Sequence, residues 1–306
     1  MTSETDPQLA TLATIGEDEL VRRLVKGLPQ GPDVLTGPGD DCAVVQPLSS
    51  EWSQLLKTDC VVEGVHFLRE APPEQVGWKA LARVVSDLGA MGGEPMHALI
   101  TLILPSDLTV AWVESLYAGL RRCAEVYGVS LVGGETARGP AIIVSVSMTG
   151  RVPVDRVLKR DGAKVGDHIV VTGRLGGSLA GHHLTFHPRV KEAQWLAANF
   201  PIHAMMDLSD GLAKDLPRMA GASGVEFAVD EEALPLNPGC SATQGWSDGE
   251  DYELLFAVDP PTWEKMNLAW AAQVPGIPLT SIGTFVEAGQ GKRLSSHHGG
   301  WEHFTP

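Results

Sequence analysis

Residues 204–216, AMMDLSDGLAKDL, begin as a buried strand and end as an amphipathic helix, with Asp207, Ser209 and Asp210 at the join. An apolar run that stops on a carboxylate constrains the fold strongly. The run belongs in a core, so the acid must stand at the core's edge, on a loop that rigid elements position. The pattern recurs along the chain. Asp40 and Asp41 occupy the GPGDD loop before CAVVQ, Asp59 ends LLKTD, and Glu135 follows LVGG. Asp87 lies on a helix-patterned segment whose apolar face is Gly77, Leu81, Val84, Val85 and Leu88, and whose polar face is Lys79, Arg83 and Asp87.

Each acid has an ordinary reading by itself. Ser209 or Asp210 can cap the following helix, Asp87 can pair with Arg83 at i, i+4 spacing, and Asp40 or Asp59 can serve a turn. Together they call for a common cause. Converging carboxylates repel unless cations occupy the cluster or protons neutralise some members. Oxygen ligands without His or Cys select Mg²⁺ over zinc, and Mg²⁺ characteristically joins a few carboxylates to substrate phosphates. The expectation is a Mg²⁺-dependent, phosphate-handling site.

Other chemistries fit poorly. A net charge of −15 argues against a nucleic-acid surface or an anionic membrane. Apolar stretches such as ALITLILP are too short to span a bilayer, and the N-terminus shows no basic segment leading into an apolar one. Cys42, Cys60, Cys123 and Cys240 lack CxxC spacing, so a reducing cytoplasm is expected. There is no GxxxxGK[ST], GPGDDC lacks GxGxxG spacing, and no nucleophile elbow is present. His183 and His187 are spaced as a metal pair, but HLTFH lacks the glutamate of HExxH, and a surface helix is expected there. GRLGGS can cradle a phosphate or make a tight turn.

Periodicity predicts a helix over residues 17–28, with capping-box spacing between Thr14 and Glu17. Strands follow at CAVVQ and SQLLKTD, then the helix ending near Met91, a strand over 97–104, and a helix after PSDLT that stops at Gly128. VSLVGGE and AIIVSVSMTGRV supply two more strands, and a boundary near Gly150 divides the chain into 1–150 and 151–306. The second part reads as HIVVTG, the Gly-rich turn, a helix, HAMMD, a helix, VEFAV and DYELLFAV. Consecutive strands mixed with helices favour an α+β fold over a doubly wound sheet.

The segments GDDCAVV, KTDCVVEGVHF, GWKALARVVSDLGAMGGEP, LVGGET, RDGAKVGD, MDLSDGLAKDL, GEDYELLF and GWEHF resemble, in order and spacing, the thiamine-monophosphate kinases of the aminoimidazole-ribonucleotide-synthetase-like superfamily. The resemblance covers nearly the whole chain. It implies a cytoplasmic phosphotransferase that uses ATP and Mg²⁺ to convert thiamine monophosphate to thiamine diphosphate, without nucleic-acid or membrane partners. It further implies a homodimer whose N-terminal mixed sheets, flanked by helices, form a barrel across the interface, while a C-terminal α+β domain completes the site.

Carried over by position, Asp40, Thr58, Asp59, Asp87, Asp207 and Asp210 are implied metal ligands. Glu135 joins them in GGET, where the family usually has GGDT. Tyr117, Gly134, Arg160 and Ser209 are implied nucleotide contacts, and His66, Glu250, Asp251 and Trp301 implied thiamine-side contacts. No general base is expected, because a phosphate acceptor with a second pKa of about 6 is largely dianionic at neutral pH. Gly89 replaces a more usual alanine, a change that costs about 1 kcal/mol in a helix unless close packing requires it. Two alternatives remain, another ATP-using synthetase of the superfamily or a non-catalytic paralogue that binds thiamine phosphates.

Overall fold

The computed structural model describes residues 19, 22, 32, 34–37, 39–46, 49–291 and 299–301. The helix expected over 17–28 therefore lies outside the described residues, apart from Glu19 and Arg22.

The first half forms a six-stranded sheet from β1 (Val34–Thr36), β2 (Ala43–Val45), β3 (Trp52–Val62), β4 (Glu94–Leu104), β5 (Ser130–Arg138) and β6 (Ile143–Pro153), in the order β1-β2-β3-β6-β4-β5. All neighbours run antiparallel except β4 and β5, whose parallel pairing requires a crossover. Helix α2 (Val110–Tyr127) makes that crossover, capped by Thr109 and ended by a left-handed Gly128. Alternation along β3 turns Lys57 and Asp59 to the helix-covered face, where each meets a residue of α1 (Pro73–Ala90), while Leu56 and Thr58 face away.

Helix α1 is the centre of the molecule. From Val76 to Ala90 every residue but Arg83 is buried, as expected for a helix enclosed on all sides. Its polar face is thus interior: Lys79 is wholly buried and Asp87 nearly so. Two glycines allow α1 and α2 to touch, since a Cβ on Gly77 would stand 2.0 Å from the Leu116 carbonyl oxygen and one on Gly119 would stand 1.8 Å from that of Glu74. At the far end of α1, a Cβ on Gly89 would come within 3.0 Å of Val190. Close packing therefore accounts for that glycine.

The second half builds a five-stranded antiparallel sheet from β7 (His168–Thr172), β8 (Ala204–Asp207), β9 (Glu226–Val229), β10 (Leu254–Val258) and β11 (Leu279–Val286), in the order β8-β10-β7-β11-β9. It is accompanied by α3 (Val190–Asn199), α4 (Leu212–Ser223), α5 (Ala242–Ser247) and α6 (Pro260–Gln273). Strands β7, β8 and β10 are almost entirely buried, which explains their unbroken apolar runs. The mixed α+β organisation matches the sequence pattern. The surface helix expected around HLTFH is absent. His182–Leu184 is a 3₁₀ turn, His183 Nδ1 lies 2.9 Å from the Ser178 carbonyl oxygen, and His187 meets Trp78 edge-on at 5.0 Å. No helix among the described residues is long and apolar enough to cross a membrane.

Candidate active site

The loop before β2, helix α1 and the end of β8 converge. Asp40 Oδ1 accepts the Asp41 N–H at 2.8 Å and its Oδ2 accepts the Arg160 N–H at 3.2 Å, so Asp40 braces the loop while Asp41 sits buried. Asp41, Asp87 and Asp207 each offer a carboxylate oxygen, and these oxygens lie within 4.8 Å of one another. The Arg160 guanidinium pairs with Asp41, Lys57 Nζ donates to Asp87 at 2.9 Å, and Ser86 Oγ donates to Asp207 at 2.6 Å.

These partners do not offset the crowding. Burial pushes Asp87 well above the usual carboxylate range against the pull of Lys57, with Asp207 and Asp41 adding to the rise. Burial and then Asp41 raise Asp207 to about 7, and burial and then Asp41 raise Asp40 to about 6. A buried trio of carboxylates in which Asp87 and Asp207 are both pushed up is short of positive charge. Its donor set, with no His or Cys among the described residues, fits Mg²⁺.

The other sequence-predicted ligands are placed differently. Asp59 pairs with Arg83 at 3.1 Å and adds its field to Asp87. Asp210 pairs with Arg218 at 2.5 Å, and its N–H is accepted by the fully buried Asp215 at 3.0 Å. Neither Ser209 nor Asp210 caps α4, whose N-cap is Gly211 with no side-chain bond. Thr58 turns to the opposite face of the first sheet, its hydroxyl 3.0 Å from Ser147 Oγ. Glu135 is exposed on β5, where it accepts its neighbour's N–H at 2.9 Å. In the order β3-β6-β4-β5 it lies three strands from Asp59, roughly 14 Å at the usual strand spacing. Gly134 is pressed against Ile100, and Tyr117 packs half-buried against the first core.

Beside the trio, His66, Arg83, Ser209, Asp210, Glu250 and Trp301 line a small cavity of ≈ 60 Å³. Trp301 is fixed by its N–H, which donates to the Asp210 carbonyl at 2.9 Å. Glu250 and Tyr252 hold left-handed backbone conformations, φ 64° and 51°, which are strained for residues with a Cβ. Backbone bonds from Glu250 to Ser209 (2.7 Å) and from Tyr252 to Leu208 (2.9 Å) impose them. Lys79 Nζ donates to Glu250 Oε2 at 2.6 Å and to the His66 carbonyl at 2.5 Å, while burial brings its pKa down to about 8 despite Glu250. His66 Nδ1 accepts the Val62 N–H at 3.0 Å, which assigns the ring proton of the neutral imidazole to Nε2.

Asp251 is buried behind this cavity. It accepts the Gly176 N–H at 3.1 Å, and Asp248 accepts that of Gly177 at 2.8 Å. The GRLGGS turn therefore gives these donors to carboxylates of the chain, as a tight turn, and does not direct them to a phosphate. Burial raises Asp251 to about 8. The sequence places Asp41 among the carboxylates and Lys79 and Arg83 on the polar face of a helix, but none of the three is among the implied site residues. The available signal was the spacing of Lys79, Arg83 and Asp87 along one face of a helix that is otherwise apolar almost all round.

The family model described as AIR synthase related protein, N-terminal domain, matches residues 39–152, and its C-terminal counterpart matches residues 164–294. Thiamine-monophosphate kinase of Rhodopirellula baltica is 36% identical over 287 residues, covering 87% of this chain and 89% of the relative. That of Aquifex aeolicus is 37% identical over 302 residues, covering 87% and 92%. A solved structure, AaThiL complexed with AMPPCP and TMP, superposes with a TM-score of 0.83 at 34% identity, covering 96% of this chain and 99% of that one. The chain belongs to the thiamine-monophosphate kinase family of the AIR synthase related proteins and is an enzyme of that family.

Proposed function

We propose that this enzyme transfers the γ-phosphoryl group of ATP to thiamine monophosphate, giving thiamine diphosphate and ADP. The observation that carries the reading is the convergence of Asp41, Asp87 and Asp207 beside a cavity lined by His66, Glu250 and Trp301. The relative solved with AMPPCP, an ATP analogue, and TMP supports the same pair of substrates.

In the reaction an oxygen of the acceptor phosphate bonds to the γ-phosphorus, the bond from that phosphorus to the β–γ bridging oxygen breaks, and ADP leaves with the electron pair. The acceptor is already largely dianionic, so no side chain must take a proton. Bound Mg²⁺ supplies charge neutralisation between the two polyanions. Asp41, Asp87 and Asp207 would hold it, with Asp40, Asp59 and Asp210 beside them, whereas Thr58 on the opposite face of the first sheet and Glu135 three strands from Asp59 stand outside this set. Arg160, Ser209, Tyr117 and Gly134 would hold the nucleotide. Glu250, with Asp251 behind it, and His66 would fix thiamine, whose cationic thiazolium suits the face of Trp301.

Residues 1–150 would form the metal, nucleotide and dimerisation domain, and 151–306 the domain that completes the site. A homodimeric barrel is supported by the exposed Leu56, Leu99 and Val132, which line a cavity of ≈ 560 Å³ on the outer face of the first sheet. Four free thiols fit a cytoplasmic enzyme. The deciding experiment is product analysis after mixing the protein with ATP, Mg²⁺ and thiamine monophosphate. Equal formation of thiamine diphosphate and ADP is expected. Thiamine monophosphate binding without ADP release would select a non-catalytic binder, and turnover only with another acceptor would select a different ATP-using relative.

A further inference from the structure

Two carboxylates line the cavity, and each is matched by a cation that does not: Arg218 for Asp210 and Lys79 for Glu250. The cation on the wall itself is Arg83. We propose that Arg83 grips the phosphate of the thiamine monophosphate acceptor and so makes the enzyme select the phosphorylated vitamin over free thiamine. This rests on the acceptor assigned above.

The hydrogen bonding of Arg83 is incomplete. Nη1 donates to the Cys60 carbonyl at 2.9 Å and Nη2 lies 3.1 Å from Asp59 Oδ2, but Nε is buried without a hydrogen-bond partner among the described residues. The Tyr252 hydroxyl, electrostatically coupled to Arg83, is also buried and unpartnered, and its ring is held by stacking on Phe186 at 3.8 Å. Buried polar groups left in this state call for an oxygen that the polypeptide does not supply. A phosphate supplies several, and the planar guanidinium fork matches their geometry. Burial opposes the charge on Arg83, but Tyr252 first and then Asp59, Glu250 and Asp87 more than offset it.

Position along the helix supports the assignment. Lys79, Arg83 and Asp87 follow at successive turns of α1, about 6 Å apart at 1.5 Å per residue. Lys79 organises Glu250 and His66, and Asp87 belongs to the acidic trio. Arg83 therefore stands between the thiamine-side residues and the cluster, where the phosphate of an acceptor pointing towards the cluster would lie.

The test is equilibrium binding of thiamine and thiamine monophosphate, with Mg²⁺ and without nucleotide, to wild type and to Arg83→Gln, Arg83→Met and Arg83→Lys. Wild type should prefer thiamine monophosphate by at least ~10-fold, as a charge-assisted fork contributes. Arg83→Gln and Arg83→Met should reduce the preference to within ~2-fold while leaving thiamine affinity nearly unchanged. Arg83→Lys, which retains a cation beside Asp59 and with it the fold, should lose about half a decade, because a point charge replaces the fork. An undiminished preference in any folded variant overturns the proposal. If wild type binds thiamine but not its monophosphate, or binds neither, the acceptor assignment fails and this contact with it.

Discussion

Lys79 of the central helix and Glu250 of the second half meet at 2.6 Å, with the lysine side chain wholly out of solvent. The same ammonium donates to the carbonyl of His66. One buried cation thus ties together the two loops that carry His66 and Glu250, from opposite halves of the chain.

Removing that cation should unsettle both loops. Lys79→Met leaves the partly buried Glu250 without this partner, a change that costs up to about 3 kcal/mol, the lower end for a broken buried pair. A lowered melting temperature is expected, together with a KM for thiamine monophosphate raised at least ~10-fold and a nearly unchanged KM for ATP, as suits a positioning residue. Adding Glu250→Gln should recover much of the stability but not the acceptor affinity. Calorimetry and initial rates on the single and double variants check this, and equal effects on both KM values would refute it.

The acidic trio should behave as a cation site that repels itself when empty. Asp207→Asn removes one charge from the cluster and keeps a polar group for Ser86. Turnover should fall at least ~100-fold, as expected for loss of a metal ligand. The melting temperature without metal should hold or rise. Millimolar Mg²⁺ should stabilise wild type more than the variant. A thermal-shift titration with matched rate measurements tests the pair of outcomes, and wild type indifferent to Mg²⁺ would count against the site.

Gly134 separates a packing role from a nucleotide role. An alanine Cβ there would stand 1.8 Å from the Ile100 carbonyl oxygen across the β4–β5 pair, so backbone must move. Gly134→Ala should destabilise by more than about 2 kcal/mol, in the range of overpacked sites. Gly221→Ala, on a face of α4 with nothing within 4 Å, should stabilise by about 0.5–1 kcal/mol. Denaturant melts of both variants check the contrast. A stable Gly134→Ala with a raised KM for ATP would give the residue to the nucleotide instead.

What could be read without coordinates was what depends on local pattern. Apolar runs located β3, β4, β6, β7 and β8, the acid at the end of β8 pointed to Asp207, and the polar face of α1 pointed to Asp87. Long-range pairing was hidden, because no spacing rule joins Lys57 to Asp87 or Lys79 to Glu250 across 30 and 171 residues. Asp40 and Asp41 are adjacent, and which one enters the cluster depends on the turn that spends Asp40 on backbone N–H groups. The strand expected from Asp251 begins only at Leu254, because the left-handed Glu250 and Tyr252 keep the preceding residues in a loop. Helix α6 escaped notice because it buries only Met266 and Trp270 and so shows little one-sided pattern.

Asp251 should make stability depend on pH in the direction opposite to an ordinary carboxylate. Burial raises its folded pKa to about 8, against about 3.9 in an unfolded chain. Between these values the folded state holds a proton that the unfolded state has released, so stability falls as pH rises. The contribution is fully present below the unfolded value and is lost as pH passes through the folded one. Asp251→Asn preserves an oxygen for the Gly176 N–H and removes a charge that faces Glu253 and Asp248. The variant and wild type should therefore melt alike near pH 5, whereas at pH 9 the variant should melt at least about 4 °C higher, the shift expected for one to two kcal/mol in a domain of this size. Melting curves across that range check it, and a difference that stays the same from pH 5 to pH 9 would show that Asp251 is ionised in the folded protein throughout.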